Sequence, residues 1–329
     1  MNHFADGLFR KVNEKKSIVI VGIDPRFDLL PSSLKRGARG RAGRAKAFLR
    51  FGKGIIDASA RHAVGVKVQV AFYEALGPEG MVAFAATLAY ARRRRMVTIA
   101  DVKRGDIGST AEAYAEAYLS SRSGFEADAV TLNPLLGTDS VEPFVRAAAE
   151  HGRGLFFLVK TSNPSSADFQ NLAVARDTGA ACGGSRGGGC GAIDSVAARE
   201  GQEPMYMAIA RKVAAWGAPH VGKSGYSLVG SVVGATHPRE ASAIRGIAPR
   251  SVFLVPGYGA QGGGIEGVRA CLNPDGKGAV VAAARSVIFA WHTEPWKSKF
   301  GERRWQRAIE SAAEQMKLEL AVLCVGEIG

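Results

Sequence analysis

Apolar runs rich in β-branched residues recur along the chain, and stretches with helical periodicity separate them. Strands that alternate with helices form right-handed βαβ units, which place the strands side by side in a parallel sheet. Eight such runs in 329 residues predict an α/β protein, a closed parallel (β/α)8 barrel of the TIM-barrel class. The runs are Ser17–Gly22, Ala63–Ala71, Met96–Ala100, Ala127–Leu132, Gly154–Val159, Ser227–Gly234, Ser251–Val255 and Ala279–Ala284.

Two further stretches complete the predicted organisation, which is a single domain over residues 1–329. Gly179–Gly191 contains seven glycines and predicts an exposed insertion loop after the fifth strand, with an active-site lid as the alternative. Glu302–Leu323 has helical periodicity and predicts a C-terminal helix that flanks the barrel.

Polar side chains gather where the predicted strands end. Asp24 follows the first run, Asp101, Lys103 and Asp106 follow the third, and Arg285 follows the eighth. Barrel enzymes carry their active sites at the carboxyl ends of the strands. The sequence therefore predicts a polar site at this end of the barrel.

The densest charge lies in the segment DVKRGD. Residues two apart on a strand share a face, so Asp101 and Lys103 are predicted to point together toward the mouth of the barrel. Asp106 follows in the loop, and Lys67 on the preceding strand can reach the same place. Alternating signs keep each group ionised where burial would neutralise it. A structural ion-pair network is the alternative to a catalytic cluster.

The segment GYGAQG, Gly257–Gly262, follows the seventh strand. Its GxGxxG pattern matches a dinucleotide-binding turn, but it lacks the first-strand position and the downstream acid of that motif. Glycines also let a backbone approach a phosphate, and barrels commonly bind phosphate after strands seven and eight. We therefore predict a phosphate site with Gln261 and Arg285 as donors, in preference to a purely structural turn.

A second glycine pattern, GAPHVGKS at Gly217–Ser224, matches the P-loop of ATP- and GTP-binding proteins. A P-loop follows a strand and precedes a helix. Here the helical stretch Met205–Trp216 comes first and a strand follows. We predict a helix-to-strand connection rather than a nucleotide triphosphate site.

The net charge of +13 is concentrated in two segments. Lys35–Arg50 holds seven basic residues and no acid, and Arg92–Arg95 is a run of four arginines. Nucleic-acid binding is one interpretation, but no helix-turn-helix or zinc-finger motif accompanies the two segments. We favour solvated faces, with a positive field that attracts a small anionic substrate.

Cysteine spacing and hydropathy argue against a zinc-binding, a membrane-spanning or a secreted protein. The four cysteines form no C-x-x-C pair and fit no zinc site, so no metal is predicted and free thiols are expected. No apolar run is long enough to cross a membrane, and residues 1–17 lack a signal-peptide core. These features predict a cytoplasmic protein.

The D-x-K-x-x-D of DVKRGD, with a lysine on the preceding strand, resembles orotidine 5′-phosphate decarboxylase. The longer string DVKRGDIGSTAEAYA resembles the longer bacterial branch of that family, type 2. Other segments agree in the same order between about Ser17 and about Ala290: VGIDP, VKVQVAFYEALG, TLNPLLGTDSVEPF, VKTSNPSS, VVGATHP and PGYGAQGG.

The resemblance implies a TIM barrel that converts orotidine 5′-monophosphate to uridine 5′-monophosphate and carbon dioxide without metal or cofactor. It implies that Lys103 is the proton donor. Asp101, Lys67 and Asp106 would complete a charged tetrad, with Asp106 reaching into the partner subunit's site of a homodimer.

The same resemblance implies the substrate contacts. Asp24 would hold the ribose hydroxyls, Ser162 the pyrimidine, and Gln261 and Arg285 the phosphate, while Thr110 would lie beside the nucleotide across the dimer interface.

Two alternatives stay open at the level of sequence. Metal-dependent sugar-phosphate aldolases and decarboxylases share D-x-K-x-x-D, but they tend to carry an acid where Lys67 stands. A basic nucleic-acid-binding protein is the other.

Overall fold

Eight parallel strands close into a barrel in the computed structural model, which describes residues 3–176, 201–259 and 262–324. Around the barrel the strand order is β1-β10-β9-β8-β5-β4-β3-β2, and a two-stranded antiparallel sheet, β6-β7, lies outside it. The strands are β1 (Val19–Ile23), β2 (Gly65–Gln69), β3 (Val97–Arg104), β4 (Ala129–Leu132), β5 (Gly154–Lys160), β6 (Ala173–Ala175), β7 (Gln202–Pro204), β8 (Val229–Val233), β9 (Phe253–Pro256) and β10 (Ala279–Ala283).

The helices surround the barrel and connect its strands. They are α1 (Phe4–Lys15), α2 (Ser32–Lys35), α3 (Gly40–Ser59), α4 (Ala71–Glu74), α5 (Pro78–Arg93), α6 (Gly108–Leu119), α7 (Thr138–His151), α8 (Ala167–Gln170), α9 (Met205–Gly217), α10 (Pro238–Ile247), α11 (Ile265–Arg269), α12 (Arg285–Ile288), α13 (Trp296–Phe300) and α14 (Trp305–Cys324).

Each of the eight predicted apolar runs overlaps one barrel strand, so the predicted fold class is confirmed. Parallel strands covered by helices are buried on both faces, which is why they read as nearly continuous apolar runs. All five residues of β1 and of β10 are buried. The third strand continues past the predicted end at Ala100 to Arg104, so Asp101 and Lys103 belong to the strand itself.

Helix α1 lies across the amino-terminal ends of the strands. Phe4 packs edge-on against Phe156, with 5.8 Å between ring centroids, and its ring fills the space beside Gly154 where any Cβ would collide. The carboxylate of Asp6 accepts hydrogen bonds from the backbone N–H groups of Lys223 and Ser224, at 3.1 and 2.7 Å. The P-loop-like segment is thus the predicted helix-to-strand connection between α9 and β8.

The predicted C-terminal helix is present as α14 and begins at Trp305, after a short 3-10 turn over Glu302–Arg304. The Trp305 indole occupies the space beside Gly54 of α3, and its centroid lies 5.3 Å from that of Phe51. The glycine-rich stretch Gly179–Gly191 lies outside the described residues.

The two basic runs occupy opposite ends of the barrel. In the second run, Arg92 pairs with Glu126 and the Nε of Arg94 lies 2.9 Å from Asp57, so ion pairs neutralise part of its charge. Lys35–Arg50 follows β1 and therefore begins at the carboxyl ends of the strands. No helix in the described part of the chain is both long and apolar enough to span a bilayer.

Candidate active site

The carboxyl ends of the strands surround a cavity of about 860 Å³, a size typical of small-molecule sites. Its wall includes six of the nine residues predicted for the site, from five different barrel strands or the loops that follow them. These six are Asp24, Lys67, Asp101, Lys103, Ser162 and Arg285.

Asp101 is the centre of the charged cluster. Lys67 on β2 donates to its Oδ2, and Lys103, two residues further along β3, donates to its Oδ1. The side chains of Asp101 and Lys67 are only 6% and 12% exposed, whereas Lys103 is 46% exposed and extends into the mouth of the barrel. The three charges meet as the sequence predicts, with the Lys103 amine on the open side.

The surroundings keep Asp101 and Lys67 ionised. Burial acts to raise the pKa of Asp101, but the positive charges of Lys67 and Lys103 outweigh it and hold that pKa well below its usual range. Burial acts to lower the pKa of Lys67, and the carboxylates of Asp101 and Asp24 reverse this and leave it raised. The carboxylate of Asp101 and the ammonium group of Lys67 are therefore both charged at neutral pH.

Two further residues bind Asp101, and the sequence analysis missed both. The amide Nε2 of Gln69 donates to Oδ2 at 3.0 Å, and the hydroxyl of Thr131 donates to Oδ1 at 2.9 Å. Gln69 stands two positions after Lys67 on β2, and Thr131 stands near the end of β4. Their places at the ends of strands next to β3 are the signal that could have found them.

Asp24 follows β1, the strand next to β2, and lines the cavity beside Lys67. Within the described part of the chain its buried Oδ1 accepts no hydrogen bond. Burial raises the pKa of Asp24, against the opposing effect of the Lys67 charge. A buried acceptor with no partner is costly, so this oxygen is available for the hydroxyl group of a ligand.

The wall next to Asp24 offers a donor for an anion. Arg285 is the first residue of α12, directly after β10, and a smaller space of about 90 Å³ separates it from the backbone at Gly257 and Tyr258. Gly257 has a φ of +94°, a conformation that glycine adopts most readily. Gln261, predicted for the same site, lies outside the described residues.

Ser162 lies in the loop after β5, and its neighbours hold that loop in place. The hydroxyl of Thr236 donates to the Ser162 carbonyl at 3.3 Å. The N–H of Thr161 donates to the side chain of Gln170 at 3.0 Å. Lys160, which is only 1% exposed, donates to Asn171 at 2.8 Å. These hydrogen bonds hold the loop that contributes Ser162 to the cavity wall.

The remaining two predicted residues do not line the cavity of their own chain. The carboxylate of Asp106 accepts a hydrogen bond from the backbone N–H of Ile107 at 2.8 Å, and Thr110 is exposed in the first turn of α6. The neighbouring side chains Ile107, Leu135 and Leu136 are 55%, 65% and 53% exposed. A cluster of exposed apolar side chains of this kind is typical of an interaction surface.

Comparisons with known proteins agree with this geometry. The family model described as orotidine 5′-phosphate decarboxylase / HUMPS family matches residues 50–185. The chain is 38% identical to orotidine 5′-phosphate decarboxylase of Rhodopirellula baltica over 326 residues, which cover 97% of this chain and 99% of that protein.

Solved structures give the same result. Leishmania donovani OMP decarboxylase has a TM-score of 0.69 and 27% identity, with 98% of each chain covered. Leishmania donovani UMP synthase has a TM-score of 0.71 and 28% identity, and the match covers 98% of this chain but 57% of that longer one. With a near full-length relative at 38% identity, the chain belongs to the orotidine 5′-phosphate decarboxylase family.

Proposed function

We propose that this protein decarboxylates orotidine 5′-monophosphate to uridine 5′-monophosphate and carbon dioxide in de novo pyrimidine biosynthesis. It acts without metal or cofactor, as a cytoplasmic homodimer. The arrangement of Lys67, Asp101 and Lys103 at the end of the barrel carries the proposal. The near full-length relatives that bear this name support it.

The reaction sets an electrostatic problem. When the C–C bond to the carboxylate breaks, its electron pair stays on a ring carbon as a poorly delocalised carbanion, so a catalyst has to lower the barrier by about 20 kcal/mol. Fixed charges that are oriented before the reaction stabilise such a transition state without reorganising. Lys103 supplies the positive charge and then transfers a proton to that carbon.

Asp101 and Lys67 hold this donor in place. Asp101 fixes the Lys103 ammonium through its Oδ1, and Lys67 occupies the other oxygen. The carboxylates of Asp101 and Asp24 keep Lys67 protonated beside the Lys103 amine. The leaving carboxylate of the substrate would lie near Asp101, where the departure of neutral carbon dioxide relieves the repulsion between the two carboxylates.

The rest of the cavity fits the rest of the nucleotide. Asp24 offers its free carboxylate oxygen to the ribose hydroxyls, and the loop of Ser162 faces the pyrimidine. Arg285 binds the phosphate together with Gln261, and this remote binding energy helps to organise the charged cluster. The single phosphate and the carboxylate make the substrate an anion, which the basic segment after β1 attracts.

We also propose that two chains share each active site. Asp106 and Thr110 lie outside the cavity of their own chain, beside an exposed apolar cluster of Ile107, Leu135 and Leu136. Pairing through this surface would bury the cluster and bring Asp106 to the partner subunit's Lys103. Mixing the variants Lys103→Ala and Asp106→Ala tests it.

Both variants alone are expected to be nearly inactive. After subunit exchange, half of the dimers would hold one intact site of two, which restores about a quarter of the wild-type activity. A mixture as inactive as its components, or full activity of Asp106→Ala alone, would contradict shared sites.

Carbon dioxide release from orotidine 5′-monophosphate, measured with purified protein in EDTA and without added cofactor, tests the function itself. We expect rapid release that EDTA does not change. Release that requires a divalent metal, or turnover of sugar phosphates instead, would favour the metal-dependent relatives. Lys67 is the specific argument against these relatives, because they tend to carry an acid at its position.

A further inference from the structure

Strand β3 contains an irregularity at the point where its catalytic side chains emerge. Ala100 pairs with Val130 and Arg104 pairs with Leu132, so three residues of β3 lie opposite the single residue Thr131 of β4. We call residues 101–103 the β3 bulge. Bulges of this kind change the direction of a side chain at the end of a strand and are frequent next to active sites.

The last residue of the bulge has an unusual backbone. Lys103 has a φ of +47°, in the left-handed region that residues with a Cβ rarely adopt. Regular alternation therefore does not bring Lys103 toward Asp101. A surrounding structure that fixes the conformation is required for it to persist.

The hydroxyl of Thr131 supplies that fixation. Its Oγ1 accepts hydrogen bonds from the backbone N–H groups of both Val102 and Lys103, each at 3.0 Å, and donates its own proton to Oδ1 of Asp101 at 2.9 Å. A hydroxyl has one proton and two lone pairs, so all of its hydrogen-bonding capacity is used here. The side chain is 2% exposed, which keeps water from replacing these bonds.

We infer that Thr131 is a positioning residue for the Lys103 ammonium. It holds the backbone from which Lys103 extends and the same carboxylate oxygen to which Lys103 donates. One hydroxyl thus holds the proton donor at both ends, and its hydrogen bonds are all used on protein groups. The inference rests on the proposed decarboxylation, in which a small displacement of Lys103 reduces the rate of the chemical step.

Thr98 provides a matched control on the same two strands. It is fully buried near the other end of β3, and its hydroxyl donates to Oδ2 of Asp128 at 2.9 Å and accepts from the N–H of Asp128 at 3.0 Å. A Thr-to-Val substitution at either position removes a buried hydroxyl that joins β3 to β4. Thr98 makes this connection at the start of β4, and Thr131 makes it at the end of β4. Only the one at Thr131 borders the cavity.

The experiment compares kcat, KM and thermal stability of Thr131→Val, Thr131→Ser and Thr98→Val with the unaltered protein. We expect Thr131→Val to lower kcat by about 10- to 100-fold and to change KM by less than about 3-fold. Thr131→Ser, which keeps the hydroxyl, should recover kcat to within about 3-fold. Thr98→Val should lose stability and keep kcat.

Amide hydrogen exchange of the unaltered protein adds a readout that does not depend on turnover. The N–H groups of Val102 and Lys103 should be protected, and in Thr131→Val both should exchange faster. An unchanged kcat in Thr131→Val, no recovery in Thr131→Ser, or rapid exchange of these two amides in the unaltered protein would overturn the inference. If the unaltered protein and Thr98→Val both release no carbon dioxide, the proposed function fails, and the exchange data still decide whether Thr131 holds the bulge.

Discussion

Lys67 and Asp101 form an ion pair across neighbouring strands, with only 12% and 6% of their side chains exposed. Such a pair costs desolvation energy on both sides, so it is poor evidence for stability by itself. Its value lies in holding a carboxylate and an ammonium group ionised in a dry site. The consequence is that removing one partner leaves the other buried without compensation.

Asp101→Asn is therefore expected to destabilise the fold by about 3–5 kcal/mol as well as abolish turnover, because it leaves Lys67 buried without its counter-charge. Denaturant unfolding of both proteins measures the difference. Asp57→Asn, which removes an exposed partner of Arg94, should cost less than about 1 kcal/mol. Equal losses in the two variants would contradict a special role for the buried pair.

The pH dependence of this pair has a definite sign. The pKa of Asp101 is below its ordinary value of 3.8 in the folded state, so its contribution to stability is present above that value and is lost as pH falls through the folded pKa. Below pH 3.8, the free energy of unfolding of Asp101→Asn should therefore fall less steeply with decreasing pH than that of the unaltered protein.

Lys103→Ala is expected to reduce kcat by at least about 1000-fold, since it removes both the stabilising charge and the proton donor. Because the Lys103 side chain is 46% exposed, the free energy of unfolding should change by about 1 kcal/mol or less. Steady-state kinetics and thermal unfolding give the two quantities. Lys46→Ala, at an exposed position of α3, is the control and should have wild-type kinetics. Turnover near the wild-type rate in Lys103→Ala would exclude Lys103 as the donor.

Asp24→Asn is expected to stabilise the protein at pH 7, by about 1 kcal/mol, while it weakens catalysis. Burial raises the pKa of Asp24 above 3.8, so stability is lost as pH rises from that value through the folded pKa, and Asn removes this loss. The difference in free energy of unfolding between Asp24→Asn and the unaltered protein should become smaller as the pH falls toward 4. Unfolding curves between pH 4 and 8 measure it, and a variant that is less stable at pH 7 would refute the burial argument.

Arg285→Ala is expected to lower kcat/KM for orotidine 5′-monophosphate by about 100-fold or more, because a charged donor to the phosphate is lost. For orotidine, which has no phosphate, the change should be below about 3-fold. Arg250→Ala removes an exposed arginine before β9 and should affect neither substrate. Equal losses with both substrates would show that Arg285 acts elsewhere than on the phosphate.

The basic segment after β1 predicts a salt effect on substrate capture. Arg39 and Arg41 are exposed at the start of α3, and Arg41 lies beside Gly77, which follows β2, so both belong to the carboxyl end of the barrel. The double variant Arg39→Gln and Arg41→Gln should lower kcat/KM about 3- to 10-fold at low ionic strength and leave kcat unchanged.

High salt should remove this difference because it screens exposed charges beyond a few ångströms. The matched double variant Arg93→Gln and Arg95→Gln removes exposed charges before β3, at the other end of the barrel. The same fall in kcat/KM from that pair would indicate a general effect of net charge.

The strands and the charged cluster could be predicted from the sequence for local reasons. The four residues of β4 are all buried and give a short apolar run, and Asp101 and Lys103 stand together at the end of another. The bulge could not be predicted in this way. It depends on a hydrogen bond that the backbone N–H of Lys103 donates to Thr131, 28 positions later, and a period of two along β3 gives no sign of it.

The predicted meeting of Asp101 and Lys103 was therefore confirmed for a different reason than the one that suggested it. The prediction assumed that alternation along a regular strand places both side chains on one face. In the structure, Lys103 has a left-handed backbone conformation and lies in a bulge where three residues of β3 face one residue of β4. The roles predicted for Asp106 and Thr110 depend on the proposed dimer, so a single chain does not bring these residues to a site.

Asp6 changes what the GKS segment means. In nucleotide-binding proteins the amides of such a segment hold a phosphate that arrives with a ligand. Here the amides of Lys223 and Ser224 hold a carboxylate from the same chain, 217 and 218 positions away. The anion is therefore part of the protein. A segment that in other proteins binds an exchangeable ligand here attaches helix α1 to the barrel. An acidic side chain already seated on the amides is thus a simple criterion for setting aside such a match.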